Sequence, residues 1–175
     1  TKILSGYILI FVLMILTTTY LILANNAAVE KYVALVDNNL PIIQNAERLR
    51  GLVIDMQSSF RGFVITGKNN FISHYTEGKT RFDDLLAEEK KLVAHNPKQV
   101  AVLDEVKRLQ LNWLQTISEP GIAKRRDFEK SAVDGHRFLE EFSSMLSSGK
   151  SIIEEIRSKL DILQDRARKS LEGTA

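Results

Sequence analysis

Two short stretches of the chain end in the way that phosphate-binding loops end, Gly78-Lys79-Thr80 and Gly149-Lys150-Ser151. Such a loop also needs a preceding strand and another glycine five residues ahead of the one before the lysine, because its backbone N–H groups must surround the phosphates. The chain has Ser73 and Ser144 at those two positions. Neither stretch is therefore predicted to bind a nucleotide.

The histidines and carboxylates offer little chemistry either. Only His136 has a carboxylate, Glu140, at the i, i+4 spacing that could place two metal ligands on one helix face. No third ligand is evident, and the chain has no cysteine. Adjacent acids such as Glu88-Glu89 lie beside Lys and Arg, as on solvated helix faces. We therefore expect no catalytic residue, no metal and no cofactor in this chain, which we do not interpret as an enzyme.

The arginines are the better candidates for ligand binding. Arg50, Gln57 and Arg61 fall within a narrow stripe, because eleven residues make very nearly three helical turns. Such a stripe could hold a carboxylate or a phosphate through bidentate contacts. The alternative is that these are surface charges that pair with Glu47 or with a neighbouring helix, which is the commoner outcome. The stripe is kept as a candidate ligand site.

Aromatic side chains suggest a second candidate site. They could line an apolar pocket near one tip of the molecule, although helical spacing of this kind is more typical of a packed core. Tyr75 and Trp113 join the candidate ligand-binding residues. The full set is Phe60, Phe63, Phe71, Tyr75, Phe82 and Trp113.

The helices that must position these residues begin with an apolar one. No charged residue occurs in residues 3–29, a run longer than the roughly 20 residues that cross the hydrocarbon core of a bilayer. A signal peptide has a shorter apolar core and a small-x-small cleavage site, and Ala24-Asn25-Asn26-Ala27 is a poor one. We predict a transmembrane helix over residues 1–28, with Lys2 on the cytoplasmic side under the positive-inside rule.

Helical periodicity continues after this span. Apolar residues at steps of four and three predict a long helix with a coiled-coil-like seam of Ile42, Ala46, Leu49, Val53, Met56, Phe60 and Phe63. Turn-forming residues then divide the chain, so the predicted helices cover about 29–66, 70–95, 98–132 and 134–172, the third of them kinked or broken near Pro120. No segment alternates with period two, so no strand is expected.

These helices predict one architecture. Short loops make neighbouring helices antiparallel, so residues 29–172 are expected to form an up-down-up-down four-helix bundle that follows the N-terminal transmembrane helix. The first and last helices return to the membrane end of this all-α fold. We therefore also expect a second membrane span beyond Ala175.

One stretch resembles a known family. Residues 61–75 read Arg-Gly-Phe-Val-Ile-Thr-Gly-Lys-Asn-Asn-Phe-Ile-Ser-His-Tyr. This stretch resembles the signature of CHASE3 domains, Arg-Gly-aromatic-aliphatic-aliphatic-Thr-Gly followed by a polar turn and Phe-x-x-x-Tyr. Asn96-Pro97, Trp113 and Glu119-Pro120-Gly121 are similar to further features of that family. The signature residues here are Arg61, Gly62, Phe63, Thr66, Gly67, Phe71 and Tyr75.

The resemblance implies an extracytoplasmic sensor module of a prokaryotic receptor in the cytoplasmic membrane. Such modules precede histidine-kinase, diguanylate-cyclase or chemotaxis-transducer domains, and a two-component sensor histidine kinase is the expected output here. The alternatives are the ligand-binding domain of a methyl-accepting chemotaxis receptor and a non-signalling membrane adaptor. Expected partners are the lipid bilayer, a second copy in a parallel homodimer through the first and fourth bundle helices, and a small ligand or a membrane or periplasmic partner. No nucleic acid is expected, because the net charge is only +2.

Overall fold

A computed structural model describes residues 2–130 and 135–172. Within those residues the chain is helical apart from two short turns, and it contains no strand. The elements are α1 (Lys2–Thr66), α2 (Asn69–Leu92), α3 (Pro97–Trp113), a π-helical turn (Leu114–Ser118), α4 (Glu119–Lys130) and α5 (Gly135–Glu172). The predicted all-α class is confirmed.

Four of these helices form a bundle, and α4 prolongs α3 beyond the π-helical turn. α1 packs along α2 and along α5, and α5 also packs along α3. α2 and α3 approach each other less closely, and charged side chains bridge them. Lys107 Nζ lies 2.8 Å from Asp83 Oδ1, and Lys90 pairs with Asp104. This arrangement is the predicted bundle.

α1 is one uninterrupted helix that passes through Pro41, and its 65 residues span about 97 Å at 1.5 Å per residue. Its segment Phe11–Glu30 is long and apolar enough to cross a membrane, and none of it is buried against the rest of the chain. The hydroxyls of Thr17 and Thr18 donate to the carbonyl oxygen of Met14 at 3.0 and 2.8 Å. Such bonds satisfy polar groups within the helix, as a hydrocarbon environment requires.

The core follows the predicted seam of α1. Every residue of that seam, from Ile42 to Phe63, is buried. α2 contributes Tyr75 and Phe82, and α5 contributes a stripe from Phe142 to Ala167. The seam was predictable because the buried side of a helix recurs every three or four residues, and apolar residues recur at the same spacing.

Three helix boundaries differ from the prediction, the first by one residue, because α2 begins at Asn69 rather than 70. α2 ends at Leu92 rather than near residue 95, and α3 begins at Pro97 rather than 98. The Asn96 side chain accepts hydrogen bonds from the N–H groups of Lys98 and Gln99, which caps α3. Pro97 then takes the first helical position, where a missing N–H costs nothing. The predicted boundaries at 132 and 134 lie outside the described residues.

The helix does not break at Pro120, so of the two expected outcomes, a kink or a break, the break is wrong. The N–H of Glu119 donates to the carbonyl oxygen of Leu114, five residues earlier, which defines the π-helical turn. Proline lacks an N–H and its ring crowds the carbonyl four residues before it. The wider turn resets the hydrogen-bond register directly ahead of Pro120, so helix continues as α4.

Candidate sensory site

The turn between α1 and α2 is built by the signature residues. Gly67 has a φ of 70°, which favours glycine, and its N–H bonds the carbonyl oxygen of Phe63 at 2.6 Å. The Thr66 hydroxyl donates to the carbonyl oxygen of Gly62 at 2.6 Å and accepts from the N–H of Lys68 at 3.2 Å. The Thr-Gly pair therefore ends α1 and turns the chain into α2.

Gly62 has a separate role, which is close packing. A Cβ atom at this position would lie 2.5 Å from the ring of Phe71, a contact that side chains do not tolerate without moving. Gly62 and Phe71, two residues of the signature, are thus in direct contact. It holds the start of α2 against the end of α1.

The structure does not bring the arginine stripe together as one site. Arg50 Nη1 lies 3.1 Å from Asp161 Oδ1 of α5 and 3.7 Å from Glu47, which is the pairing that the alternative interpretation gives. Arg61 lies eleven residues, or about 16 Å, further along α1 and forms no ion pair among the described residues; its Nε is buried without a hydrogen-bond partner. Gln57 is half-buried between them.

Tyr75 and Trp113 do come together, in a packed aromatic cluster. The ring centroids of Phe60 and Trp113 are 5.8 Å apart at an interplanar angle of 84°, and those of Tyr75 and Trp113 are 6.2 Å apart. Phe142 joins from α5, 6.0 Å from Phe60. All four side chains are buried, so this cluster has the character of core, and its edge-to-face contacts are of the favourable kind.

A buried hydrogen bond links this cluster to the π-helical turn. The Tyr75 hydroxyl lies 2.7 Å from Ser118 Oγ, and Ser118 also donates to the carbonyl oxygen of Leu114 at 3.3 Å. Burial raises the pKa of Tyr75 above its usual value, and the hydrogen bond with Ser118 opposes that rise. Tyr75 therefore stays neutral, and this polar contact fixes α2 against a segment of non-standard helix.

An open groove on the outer side of α1 and α2 was not predicted. Two depressions of about 460 and 470 Å³ share Leu52, Asp55 and Arg81, so they form one continuous groove. Gly51 opens the wall of the groove, because a Cβ there would meet nothing within 4 Å. Charges of both signs line it, and no motif in the sequence marks them. The charged and titratable side chains are Arg48, Asp55, His74, Glu77, Arg81, Asp84 and Glu88.

A second unpredicted feature is a layer of buried polar side chains in the half of the bundle nearer the apolar segment. We call Asn45 (α1), Glu89 (α2), Gln99 (α3) and Gln164 (α5) the polar layer; each is at most 7% exposed. Gln164 Nε2 donates to the carbonyl oxygen of Ile43 at 3.2 Å and to Glu47 at 3.1 Å. One polar residue from each bundle helix thus interrupts the apolar core.

Glu89 corrects the interpretation of Glu88-Glu89 as a solvated face. Glu88 is exposed, but Glu89 is 0% exposed and neither of its carboxylate oxygens has a hydrogen-bond partner. Burial raises its pKa from 4.5 to about 7; the Glu88 charge adds to the rise and the Asn45 amide opposes it. The spacing Phe82, Leu86, Glu89 and Val93 puts Glu89 on the buried stripe of α2, and this pattern could have found it.

The described part of the chain holds no group of three or more His, Asp or Glu side chains that could bind a metal ion. The fold and the signature turn define a class, a helical bundle that continues from an apolar helix. The family model of the CHASE3 domain matches residues 32–174, so the chain belongs to the CHASE3 family. CHASE3 domains are extracytoplasmic sensory domains of signalling receptors. No curated protein and no solved structure matches the chain.

Proposed function

We propose that this chain senses a stimulus outside the cytoplasm and relays it through a membrane along α1. The observation that carries the proposal is the continuity of α1 from the apolar segment Phe11–Glu30 to the signature turn at Thr66. Pro41 lies within this helix, between the apolar segment and the buried seam, and the helix continues through it. A shift at the bundle can therefore reach the membrane segment along one continuous helix.

The relay works by population shift. A stimulus moves the bundle only if it binds one packing of the helices more tightly than another. A stimulus would change the packing of α5 against α1, because α1 begins and α5 ends at the same end of the bundle. It is held by the Arg50–Asp161 ion pair and by Gln164, which bonds the backbone of α1. The groove between α1 and α2 offers a surface for a small ligand or for a membrane or periplasmic partner.

The finer proposal is that the output is a two-component histidine kinase in the cytoplasmic membrane, with the lipid bilayer as a partner of residues 11–30. Its support is family membership together with the candidate span. The gene's continuation should then encode a His-containing dimerisation helix and an ATP-binding domain. A very long heptad coil would indicate a chemotaxis receptor, and the absence of any output domain an adaptor. We assign no catalysis to this chain itself.

Helix phase provides the test of the relay. Inserting two alanines after Asn26 in the receptor rotates the span relative to the bundle by about 200°, whereas seven alanines restore the phase to within about 20°. We expect the two-residue insertion to shift the basal output, measured as phosphorylation in membranes, by tenfold or more. The seven-residue insertion is the matched control and should stay within about threefold of the parent. Equal output from both insertions would contradict relay through α1.

We also propose a parallel homodimer through α1 and α5. Its support is that large apolar side chains outside the apolar segment are exposed on these helices: Leu40, Ile54 and Ile65 on α1 and Ile162 on α5. A dimer would remove them from water. The chain in nanodiscs should have the mass of two copies, and Ile54→Lys should shift it toward one. If the unmutated chain were monomeric in nanodiscs at micromolar concentration, the proposed dimer would be wrong.

A further inference from the structure

Glu89 is the least compensated group in the described core. Moving an isolated carboxylate into a dry interior is so costly that such groups keep their proton or find a partner. Neither oxygen of Glu89 meets the geometry of a hydrogen bond, although its side chain is fully buried. The nearby Asn45 amide favours the ionised form, but it offsets only part of the cost of burial. The side chain is therefore placed where it is stable when protonated and unstable when ionised.

The neighbouring amide of Asn45 suits both protonation states of Glu89. It can donate through nitrogen or accept through oxygen, so it can accept a hydrogen bond from a protonated Glu89 or donate one to an ionised Glu89. Asn45 already extends toward this part of α2, with its Nδ2 3.5 Å from Glu88 Oε1. A change of protonation at Glu89 thus requires a change in the hydrogen bonds of the layer.

The charges on the surrounding helices do not neutralise Glu89, because those near this level have other contacts. On α2, Lys90 pairs with Asp104 of α3, and Glu88 carries the same sign as an ionised Glu89. On α1, Glu47 accepts from Gln164, and Arg48 lines the outer groove with Glu88. On α5, Asp161 pairs with Arg50, and Arg166 donates to the carbonyl oxygen of Lys98 at 3.0 Å. His95, in the turn after α2, is exposed.

We propose that Glu89 is a proton-binding site inside the folded bundle, and that loss of its proton loosens the polar layer and makes the sensor responsive to extracytoplasmic pH. This response rests on the proposed function, because it reaches the membrane through α1, on which Asn45 lies 15 residues beyond the end of the apolar segment. The proton site itself does not rest on it. Ionised Glu89 must draw in water or move outward toward the groove, and either change separates α2 from α1.

The direction of the effect follows from the raised pKa. Between pH 4.5 and about 7 the unfolded chain has lost the Glu89 proton while the folded chain keeps it, so stability falls as pH rises through this window and levels off above it. The rise from 4.5 to about 7 corresponds to a roughly 300-fold higher proton affinity of the folded state. Glu89→Gln mimics the protonated group and should remove this part of the pH dependence.

The direct test uses the full chain in nanodiscs with ¹³C-labelled glutamate carboxyls. We expect one carboxyl to titrate near pH 7, and its signal to be missing in Glu89→Gln. The thermal midpoint of the parent should fall by several degrees between pH 5 and pH 8, and that of Glu89→Gln should fall much less. Glu88→Gln removes a charge that adds to the rise of the Glu89 pKa, so its profile should slope less steeply than that of the parent but more steeply than that of Glu89→Gln.

Two results would overturn the proton site: a Glu89 signal that titrates near 4.5, or a Glu89→Gln profile as steep as that of the parent. If Glu89→Gln does not fold, the infrared band of a protonated carboxyl in the parent at pH 6 decides, and its absence refutes the site. The proposed pH response is tested separately, by measuring the output of the full receptor. Output that differs at least threefold between pH 6 and pH 8 in the parent and not in Glu89→Gln supports the pH response, and output independent of pH in the parent refutes it. The result of the alanine insertions, which test relay through α1, does not depend on either of these two tests.

Discussion

Trp113→Ala should lower the free energy of unfolding of the bundle by about 4 kcal/mol, the usual cost of truncating a large buried aromatic side chain. Trp113 is 1% exposed and its ring contacts those of Phe60 and Tyr75. Removing it leaves a cavity beside the π-helical turn and ends two favourable ring contacts. The measurement is urea unfolding of the full chain in detergent micelles, followed by circular dichroism at 222 nm. Fluorescence cannot serve, because Trp113 is the only tryptophan.

Trp113→Phe is the matched control for this loss. Phenylalanine keeps a ring in the cluster and leaves a smaller cavity, so the expected loss is about 1–2 kcal/mol. The pair also separates the two interpretations of the aromatic cluster. A residue that lines a ligand pocket would be partly solvated in the empty protein, and its truncation would cost little. A loss below about 1 kcal/mol for Trp113→Ala would therefore favour a pocket over a packed core.

The fold was predictable to the extent that burial is periodic. The seam from Ile42 to Phe63 and the turn at Asn96-Pro97 are local patterns, and each determines its element nearly alone. The π-helical turn is not local in this sense. Pro120 indicates that helical hydrogen bonding must change, but whether the helix ends or widens depends on the packing that a continuing helix gains. α4 and Gly121 pack against α1, and a Cβ at Gly121 would lie 2.7 Å from the Phe60 ring.

The candidate sites were harder to predict than the fold. The spacing of Arg50 and Arg61 showed that they share a face of α1, but which arginine pairs depends on α5, and Asp161 lies 111 residues along the chain from Arg50. Glu89 shows the opposite case. Its position on the buried stripe of α2 was visible, yet acids beside lysines are usually solvated, and that general expectation outweighed the spacing. Polar residues on a buried stripe are therefore the feature to test first in other helical sensor bundles.

Gly149→Ala should destabilise the bundle by up to about 2 kcal/mol, although alanine is normally the better helix former. A Cβ at position 149 would lie 2.8 Å from Ile117 Cγ2 and 3.2 Å from Trp113 Nε1. Alanine gains about 0.8–1 kcal/mol in helix propensity, but overpacking of a tight contact costs about 1–3 kcal/mol. The cost of overpacking exceeds the gain in propensity, because the neighbouring atoms belong to the π-helical turn and to the packed tryptophan and have little room to move.

Gly51→Ala is the matched control within α1. A Cβ there would meet nothing within 4 Å, so only the gain in helix propensity remains and the variant should be more stable by about 0.5–1 kcal/mol. Both variants are measured by urea unfolding of the full chain in detergent micelles. Opposite signs would show that α5 crosses the π-helical turn at contact distance. If Gly149→Ala were instead as stabilising as Gly51→Ala, α5 would have room to slide along the π-helical turn. A sliding α5 would then be a better candidate than α1 for relaying the signal.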